Sequence, residues 1–251
     1  EAGVTTAHEG ATHLPQFQTI RRASEAGANI IDVVAYPFIT EVDKVLAEFP
    51  RTEWGKYQKR FKIGGVKITL DGSPQGRTAF FTTPYLTGGP GGEKNWKGEP
   101  TFPQKFANDM LKRVYDMNVP LTAHCNGDAA ADQFIRAVRL ATAKYGPGDR
   151  RPVMIHAQTV REDQLDAMKE LGIIPSFFGM HTYYWGDWHR DSVLGPERAA
   201  RISPAASALR RGIPFTQHHD APVALPSAIM VLFSQVNRVT RSGEVLGPEQ
   251  R

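Results

Sequence analysis

The sequence has a single cysteine, Cys125, so the chain cannot form an internal disulfide. It also has no run of about 18 apolar residues, which argues against a membrane-spanning helix. No block of like charges occurs, although 30 basic and 26 acidic residues leave a net charge of +4. A nucleic-acid surface would concentrate that excess. We therefore expect no membrane partner and no nucleic-acid partner, and the lone cysteine fits a cytoplasmic protein.

The size and composition indicate one ordinary globular domain. The chain has 251 residues, of which 41% are hydrophobic and 22% are charged, and this is enough for one α/β barrel. No linker or repeat divides it, so we predict a single catalytic domain over 1–251. A nucleotide-binding oxidoreductase is disfavoured because no GxGxxG motif follows a predicted strand.

Short apolar segments alternate with segments of helical periodicity along the chain. Strands are predicted at 3–8, 30–36, 61–70, 119–125, 153–156, 173–178 and 213–217. Helices are predicted at 16–28, 41–48, 106–117, 129–145, 162–171, 204–211 and 226–239. A long Gly/Pro-rich loop is predicted at 71–103, after the strand 61–70, and the aromatic segment 181–189 is predicted to be a second loop. Such alternation favours a parallel sheet covered by helices.

Four polar residues lie at or near the ends of these strands: Lys67, His124, His156 and Asp220. In VKITLD, Val66, Ile68 and Leu70 share one face, so Lys67 should point away from the helices into a barrel lumen. The same alternation turns both histidines inward. The pattern predicts a (β/α)8 barrel with its chemistry at the carboxyl ends of the strands. Seven strands are one short of eight, and the missing strand is expected before Glu1.

These residue types suit a metal centre. A buried lysine is costly unless it is paired or chemically altered, and reaction of the neutral amine with carbon dioxide would give an anionic oxygen ligand. Histidine nitrogens and carboxylate oxygens are normal zinc ligands. A metal lowers the pKa of water, and a neighbouring carboxylate such as Asp220 can accept the proton. Structural interpretations stay open: a strand lysine in an ion pair, core histidines, and an aspartate that caps a loop.

Five motifs in order resemble the amidohydrolase superfamily: GVTT (3–6), VKITLDGSPQGRTA (66–79), PLTAHCNGDAA (120–130), IHAQ (155–158) and HDAPV (219–223). Within it, the chain is similar to the amidohydrolase 3 branch that contains N-substituted formamide deformylase. The resemblance implies a metal-dependent TIM barrel with one or two divalent ions, most simply zinc. It implies His124 and His156 as metal ligands, Lys67 as the bridging position, and Asp220 as ligand and catalytic base. Arg77 and His181 match positions near the substrate.

The chain departs from the family pattern in three ways. The His-x-His pair of the first strand does not occur, and we expect it upstream of Glu1. The flanking β-sandwich is absent as well. Where the family often has Gly-Ser before the last aspartate, this sequence has His218 and His219, either of which could add a ligand or alter proton transfer.

The resulting hypothesis is a hydrolase of non-peptide, amide-like C–N bonds in small molecules. Two alternatives stay open: an ester or phosphoester hydrolase of the same barrel type, and an inactive barrel that only binds a ligand. The aromatic residues of 183–188 could form a lid with the glycine-rich segment 86–98. A barrel that lacks a strand has open edges, so a homodimer is also expected.

Overall fold

The computed structural model of this protein describes residues 2–251. Its strands are β1 Thr6–Thr12, β2 Asp32–Pro37, β3 Phe61–Ile63, β4 Val66–Thr69, β5 Leu121–Cys125, β6 Val153–His156, β7 Ile174–Phe177 and β8 Thr216–Gln217. Its helices are α1 Leu14–Glu25, α2 Val42–Glu48, α3 Gln104–Asp116, α4 Asp128–Tyr145, α5 Glu162–Leu171, α6 Met180–Trp188, α7 Pro196–Ala200, α8 Ala205–Arg210 and α9 Ala228–Asn237. No helix in the described part of the chain is long and apolar enough to cross a membrane.

The strands form two parallel sheets, one in the order β1-β2-β3 and the other in the order β4-β5-β6-β7-β8. Every ladder between neighbouring strands is parallel. An isolated parallel bridge between Phe38 and Lys67 connects the two sheets. Parallel sheets with intervening helices fit a barrel fragment. Within residues 2–251, the ladders end at β1 on one side and at β8 on the other.

The predicted strand 61–70 is two strands, β3 and β4, with Gly64 and Gly65 between them. The first pairs with β2 and the second with β5. A Cβ at Gly64 would lie 2.5 Å from the Val34 side chain, and one at Gly65 would lie 2.2 Å from the Pro120 carbonyl oxygen. The glycines therefore let both neighbouring segments approach closely. The eight strands occupy seven positions around the fragment, which explains why the sequence suggests only seven.

The apolar face of β4 packs into the main core, as its alternation predicts. Val66, Ile68 and Leu70 are fully buried, together with residues of β5 and of α3 to α5. The facing residue Lys67 instead lines a cavity of about 180 Å³ inside the fragment. The helices therefore cover one face of the five-stranded sheet and leave its other face for polar side chains.

The prediction of a loop at 181–189 is wrong. This segment forms α6 and continues into a π-helical turn, His189–Val193. Its aromatic side chains have apolar surface to bury, and Tyr183 meets Phe233 of α9 edge to face. A Cβ at Gly186 would lie 2.7 Å from the Thr240 side chain, so this glycine allows close packing. Tertiary packing thus overrides a sequence of modest helix propensity.

Candidate metal centre

Three strands bring histidines together inside the fragment. His124 is on β5, His156 ends β6, and His218 follows β8. In the β5–β6 ladder, His124 lies beside Ile155 and Cys125 beside His156, so the two histidines are offset by one residue. Their rings nevertheless meet edge to face, with centroids 4.5 Å apart. The sequence prediction that His124 and His156 converge agrees with this geometry.

The nitrogens of these two rings are positioned for a shared ligand. His124 Nδ1 lies 3.1 Å from His156 Nε2. The other nitrogen of His124, Nε2, lies 3.0 Å from the Gly72 carbonyl oxygen and 3.0 Å from Asn126 Nδ2. When Nε2 donates to Gly72, Nδ1 presents a lone pair. Two nitrogens that bind one tetrahedral zinc ion are about 3.3 Å apart. The spacing of this pair therefore fits a metal ion.

His156 is held on its other side by His218. His218 Nε2 lies 3.2 Å from His156 Nδ1, and His218 Nδ1 lies 3.0 Å from Ser176 Oγ. The His218 ring also stacks on Phe178, with centroids 5.4 Å apart. Sequence reasoning noted His218 only as a departure from the family pattern and missed Ser176. The position of Ser176 on β7, one residue before Phe177, gave no recognisable signal.

Burial keeps these imidazoles neutral. It lowers the pKa of His124 to about 4 and that of His218 to about 3. It also lowers the pKa of His156 well below its usual range. Removal from water penalises the charged form of histidine, and Lys67 adds repulsion to each ring. Neutral imidazole is the form that binds metals, so these rings are ready to do so near neutral pH.

Asp220 lies beyond β8 at the wall of the cavity. One ligand atom from each of His156, His218 and Asp220 lies within 4.8 Å of the others. The same cavity is lined by Lys67. Burial raises the pKa of Asp220, and the positive charge of Lys67 opposes that rise. A carboxylate in this position can accept a proton inside the cavity.

Lys67 is buried, with 7% of its surface exposed. Burial lowers its pKa to about 8, and the negative charge of Asp220 acts in the opposite direction. The neutral amine is therefore accessible near neutral pH, which is the form that reacts with carbon dioxide.

Backbone strain marks the same place. His156, Ala157 and Asp220 have φ angles of +71°, +46° and +56°. Residues other than glycine rarely adopt this left-handed region, which costs about 1 kcal/mol or more per residue. The strain therefore lies at one of the clustered histidines and at the aspartate of the cavity wall.

Asp71 fixes the ends of β4 and β5 relative to one another. It accepts hydrogen bonds from the backbone N–H groups of Phe80, Asn126 and Gly127, at 2.7–3.0 Å. One of its oxygens also lies 3.6 Å from His124 Nε2. Burial raises the pKa of Asp71 to about 7, and the three N–H donors act against that rise. Alternation along VKITLD puts Asp71 on the same face as Lys67, but its bonds to the start of α4 depend on residues distant in the sequence and could not be predicted.

A match to a known protein family covers the whole chain. Residues 1–251 match the amidohydrolase family. The chain belongs to that family. Over 187 residues it is 23% identical to the putative amidohydrolase YtcJ of Bacillus subtilis, covering 74% of this chain and 34% of that protein. Over 178 residues it is 28% identical to LONG AFTER FAR-RED 3 of Arabidopsis thaliana, covering 65% of this chain and 29% of that one.

Two solved structures share this amidohydrolase fold. An uncharacterised metal-dependent hydrolase from Pyrococcus furiosus superposes on the whole chain with a TM-score of 0.81, at 24% identity and over 48% of its own length. A second from Pyrococcus horikoshii gives a TM-score of 0.78, at 20% identity, over 98% of this chain and 46% of its own. The chain thus spans about half the length of these structures and about a third of the curated relatives.

The two residues expected near the substrate of this amidohydrolase differ in their placement. His181 is buried in the first turn of α6, with its ring centroid 5.9 Å from that of His156, and its Nδ1 has no hydrogen-bond partner in the described chain. Arg77 lies in the 71–103 loop, with its guanidinium over the Trp188 ring and a bond to the Gly89 carbonyl oxygen. Neither residue lines the cavity beside Lys67.

His8 belongs to the wall of the cavity at the amidohydrolase site. It lies on β1 and lines the same cavity as Lys67 and Asp220. Its ring lies against Tyr36 with centroids 4.3 Å apart, and burial lowers its pKa to about 4. The predicted strand 3–8 ends at this residue, whereas β1 extends four residues further, to Thr12.

The long loop of this amidohydrolase is attached to α6 and the turn after it. The Trp188 indole N–H donates to the Gln75 carbonyl oxygen at 3.2 Å, and the Leu86 N–H donates to the Val193 carbonyl oxygen at 2.9 Å. The 71–103 loop is therefore fixed to α6 and to the π-helical turn that follows it.

Proposed function

We propose that this amidohydrolase is a metal-dependent hydrolase whose ion is held by His124 and His156. One observation carries the proposal: His124 Nδ1 and His156 Nε2 face each other at 3.1 Å. Two lone pairs at that distance repel unless a proton or a cation lies between them. Their neutral state, their burial and the approach of Asp220 all suit a divalent cation, and nitrogen-rich ligation favours zinc.

Lys67 is proposed as the anionic ligand of the centre, after carboxylation of its amine. The support is its burial, its place on the cavity wall and a pKa of about 8. Carboxylation would replace a buried positive charge with a negative one beside a cation, which removes the cost of burying the ammonium group. Intact-protein mass spectrometry under mild conditions tests this as the added mass of one carbon dioxide, absent in Lys67→Arg.

The proposed reaction is hydrolysis of an amide-like C–N bond. A bound metal would lower the pKa of water and polarise the substrate carbonyl. Asp220 would accept the proton from that water and then donate it to the leaving nitrogen. Its raised pKa helps the second step, because a weaker acid holds the proton until the nitrogen accepts it. His8, Lys67 and the backbone at Gly10 would form the wall of the substrate cavity.

N-substituted formamides, cyclic amides and N-acyl compounds are the proposed substrates. The cavity of about 180 Å³ beside Asp220 suits a small acyl group. The joined 71–103 loop and α6 would cover the remainder of the substrate. His181, with a free ring nitrogen close to His156, is the proposed polar contact to it.

The proposal is tested by metal content and by a substrate panel. We expect about one zinc-like ion per chain by mass spectrometry, lost in His124→Ala and His156→Ala. On a panel of formamides, cyclic amides, esters and phosphoesters, the amides should react fastest. Asp220→Asn should lower kcat by about 100-fold or more while the fold is retained. A protein that binds no metal under any loading condition would refute the proposal, and faster ester or phosphoester cleavage would replace the substrate class.

A further inference from the structure

The two adjacent histidines after β8 have different environments. His219 lines the cavity beside Asp220, and its Nδ1 accepts a hydrogen bond from the Ala221 N–H at 3.1 Å. His218 is turned towards β6 and β7, and both of its ring nitrogens have side-chain partners. Of the two departures from the Gly-Ser pattern, only His218 contacts a residue of the proposed metal site.

The partners form a continuous line from β7 to β5. Ser176 Oγ lies 3.0 Å from His218 Nδ1, His218 Nε2 lies 3.2 Å from His156 Nδ1, and His156 Nε2 lies 3.1 Å from His124 Nδ1. The line ends at His124 Nε2, which lies 3.0 Å from the Gly72 carbonyl oxygen and 3.0 Å from Asn126 Nδ2. Each neutral imidazole has one N–H and one lone pair, so the direction of donation between His156 and His218 fixes the direction between His218 and Ser176.

With His124 protonated at Nε2, so that it donates to Gly72, two arrangements of the remaining protons are possible, and the first satisfies every contact in this line. In the first, the Ser176 hydroxyl donates to His218, His218 Nε2 donates to His156, and His156 Nε2 donates to His124 Nδ1. In the second, His156 Nδ1 donates to His218 Nε2, and His218 Nδ1 donates to Ser176 Oγ. The second leaves both His156 Nε2 and His124 Nδ1 without a proton. Their lone pairs then face each other, and a cation between them is needed to remove the repulsion.

We propose that His218 and Ser176 are positioning residues that hold His156 in its Nδ1–H tautomer, so that Nε2 faces the ion, and that ion binding reverses the line of donors. This rests on the proposed metal site. Metal-ligating histidines usually donate their second N–H to an acceptor that fixes the ring and raises its basicity. Here a neutral imidazole provides that acceptor, and the Ser176 hydroxyl changes from donor to acceptor of its hydrogen bond with His218 Nδ1. The proton displaced from His156 Nε2 leaves to solvent, each remaining proton moves one position along the line towards β5, and one proton from solvent restores the Ser176 hydroxyl.

Two substitutions separate the hydrogen bond from packing. His218→Phe keeps a flat ring that can stack on Phe178 but removes the acceptor for His156 Nδ1. His218→Gln removes the ring but keeps an oxygen within reach of that nitrogen. We expect zinc affinity, measured by competition with a chromogenic chelator, to fall about 10- to 100-fold in the Phe variant. The Gln variant should recover most of the loss, and Ser176→Ala should weaken binding by a few-fold. His219→Phe is the matched control and should change the affinity by less than about twofold.

A second readout reports the protons directly. In protein labelled with ¹⁵N at histidine, the metal-free form should show His156 protonated at Nε2, and the zinc form should show it protonated at Nδ1. With ¹¹³Cd in place of zinc, scalar coupling should reach His124 and His156 but not His218. Coupling to His218 would make it a ligand and overturn the inference.

The outcomes separate this inference from the function on which it rests. If the native protein and His218→Phe bind zinc equally, and His156→Ala does not bind it, the metal site stands and the positioning role fails. If the native protein does not bind zinc, both fail. Thermal melts followed by far-UV circular dichroism identify any variant that loses zinc affinity because it unfolds. If His218→Phe unfolds, the zinc affinity of His218→Gln and the ¹⁵N tautomer of His156 test the positioning role instead.

Discussion

The two sheets of this protein differ in what covers them and in what they carry. In β5, four of five residues are buried, whereas in β1 only one of seven is. The five-stranded sheet provides Lys67, His124, His156 and Ser176, and the segment after β8 adds His218 and Asp220. The three-stranded sheet provides one polar ring, that of His8. Chemistry that requires fixed geometry thus lies on the sheet with the denser packing.

The reason is physical: a metal site requires ligand atoms held to within fractions of an ångström. Buried strands supply that rigidity, since their side chains are fixed by close packing and by hydrogen bonds from neighbouring elements. A cavity wall has looser requirements, and a more exposed strand such as β1 can meet them. The predictions below test this division of roles.

The largest expected effect is a loss of stability in acid. A histidine whose pKa falls from 6.5 to about 4 on folding, as for His124, binds fewer protons when folded than when unfolded in that interval. The free energy of unfolding should therefore fall as the pH drops from about 6.5 to about 4, by about 3 kcal/mol for such a histidine. Urea unfolding of chelator-treated protein across this range measures it.

The same experiment compares the two sheets. His218→Gln should reduce the pH dependence down to about pH 3, because it removes a ring whose pKa is lowered to about 3. His8→Gln removes the histidine of β1, whose pKa is lowered to about 4, and should reduce the dependence by a similar amount above that pH but not below it. A urea midpoint that does not change between neutral pH and pH of about 4.5 would contradict the buried neutral state of these rings.

The next effect compares two aspartates. Asp71→Asn places an amide N–H against backbone N–H groups at the end of β4, and should destabilise the protein by about 2 kcal/mol. Asp32→Asn on β2 removes only a half-exposed ion pair with Arg60 and should cost less than about 1 kcal/mol. Equal losses by urea unfolding would remove the distinction between the sheets.

The smallest effect concerns the cavity wall. His8→Gln should leave zinc affinity unchanged within about twofold, because it removes no hydrogen bond among Ser176, His218, His156 and His124. It should lower kcat/KM on the best substrate by up to about tenfold through lost cavity contacts. Loss of zinc from this variant would show that β1 belongs to the metal site itself.

Much of the fold follows from sequence periodicity. The β6 strand at 153–156 and the α5 helix at 162–171 have the predicted bounds, because apolar alternation and the flanking polar residues are both clear there. The inward direction of Lys67 followed from the apolar face of β4. The division of 61–70 into two strands could not be predicted from the sequence, because it depends on how closely Val34 and Pro120 approach Gly64 and Gly65.

The candidate metal centre could likewise be predicted from the sequence only in part. His124 and His156 could be predicted, because each follows an apolar strand and falls within a family motif. Ser176 and the bonding of Asp71 could not, since their roles depend on contacts with residues 42 and 55 or more positions away along the chain. The helix at 180–188 was missed because its aromatic residues are stabilised by α9, which no local pattern describes.

The left-handed backbone at His156, Ala157 and Asp220 also limits which residue types these positions can accept when the protein is redesigned. β-Branched residues tolerate such a backbone poorly, whereas asparagine and glycine accept it. A library aimed at new substrates should therefore hold these three positions constant and vary the wall at 8, 10 and 221, where side-chain size can change without altering the path of the chain.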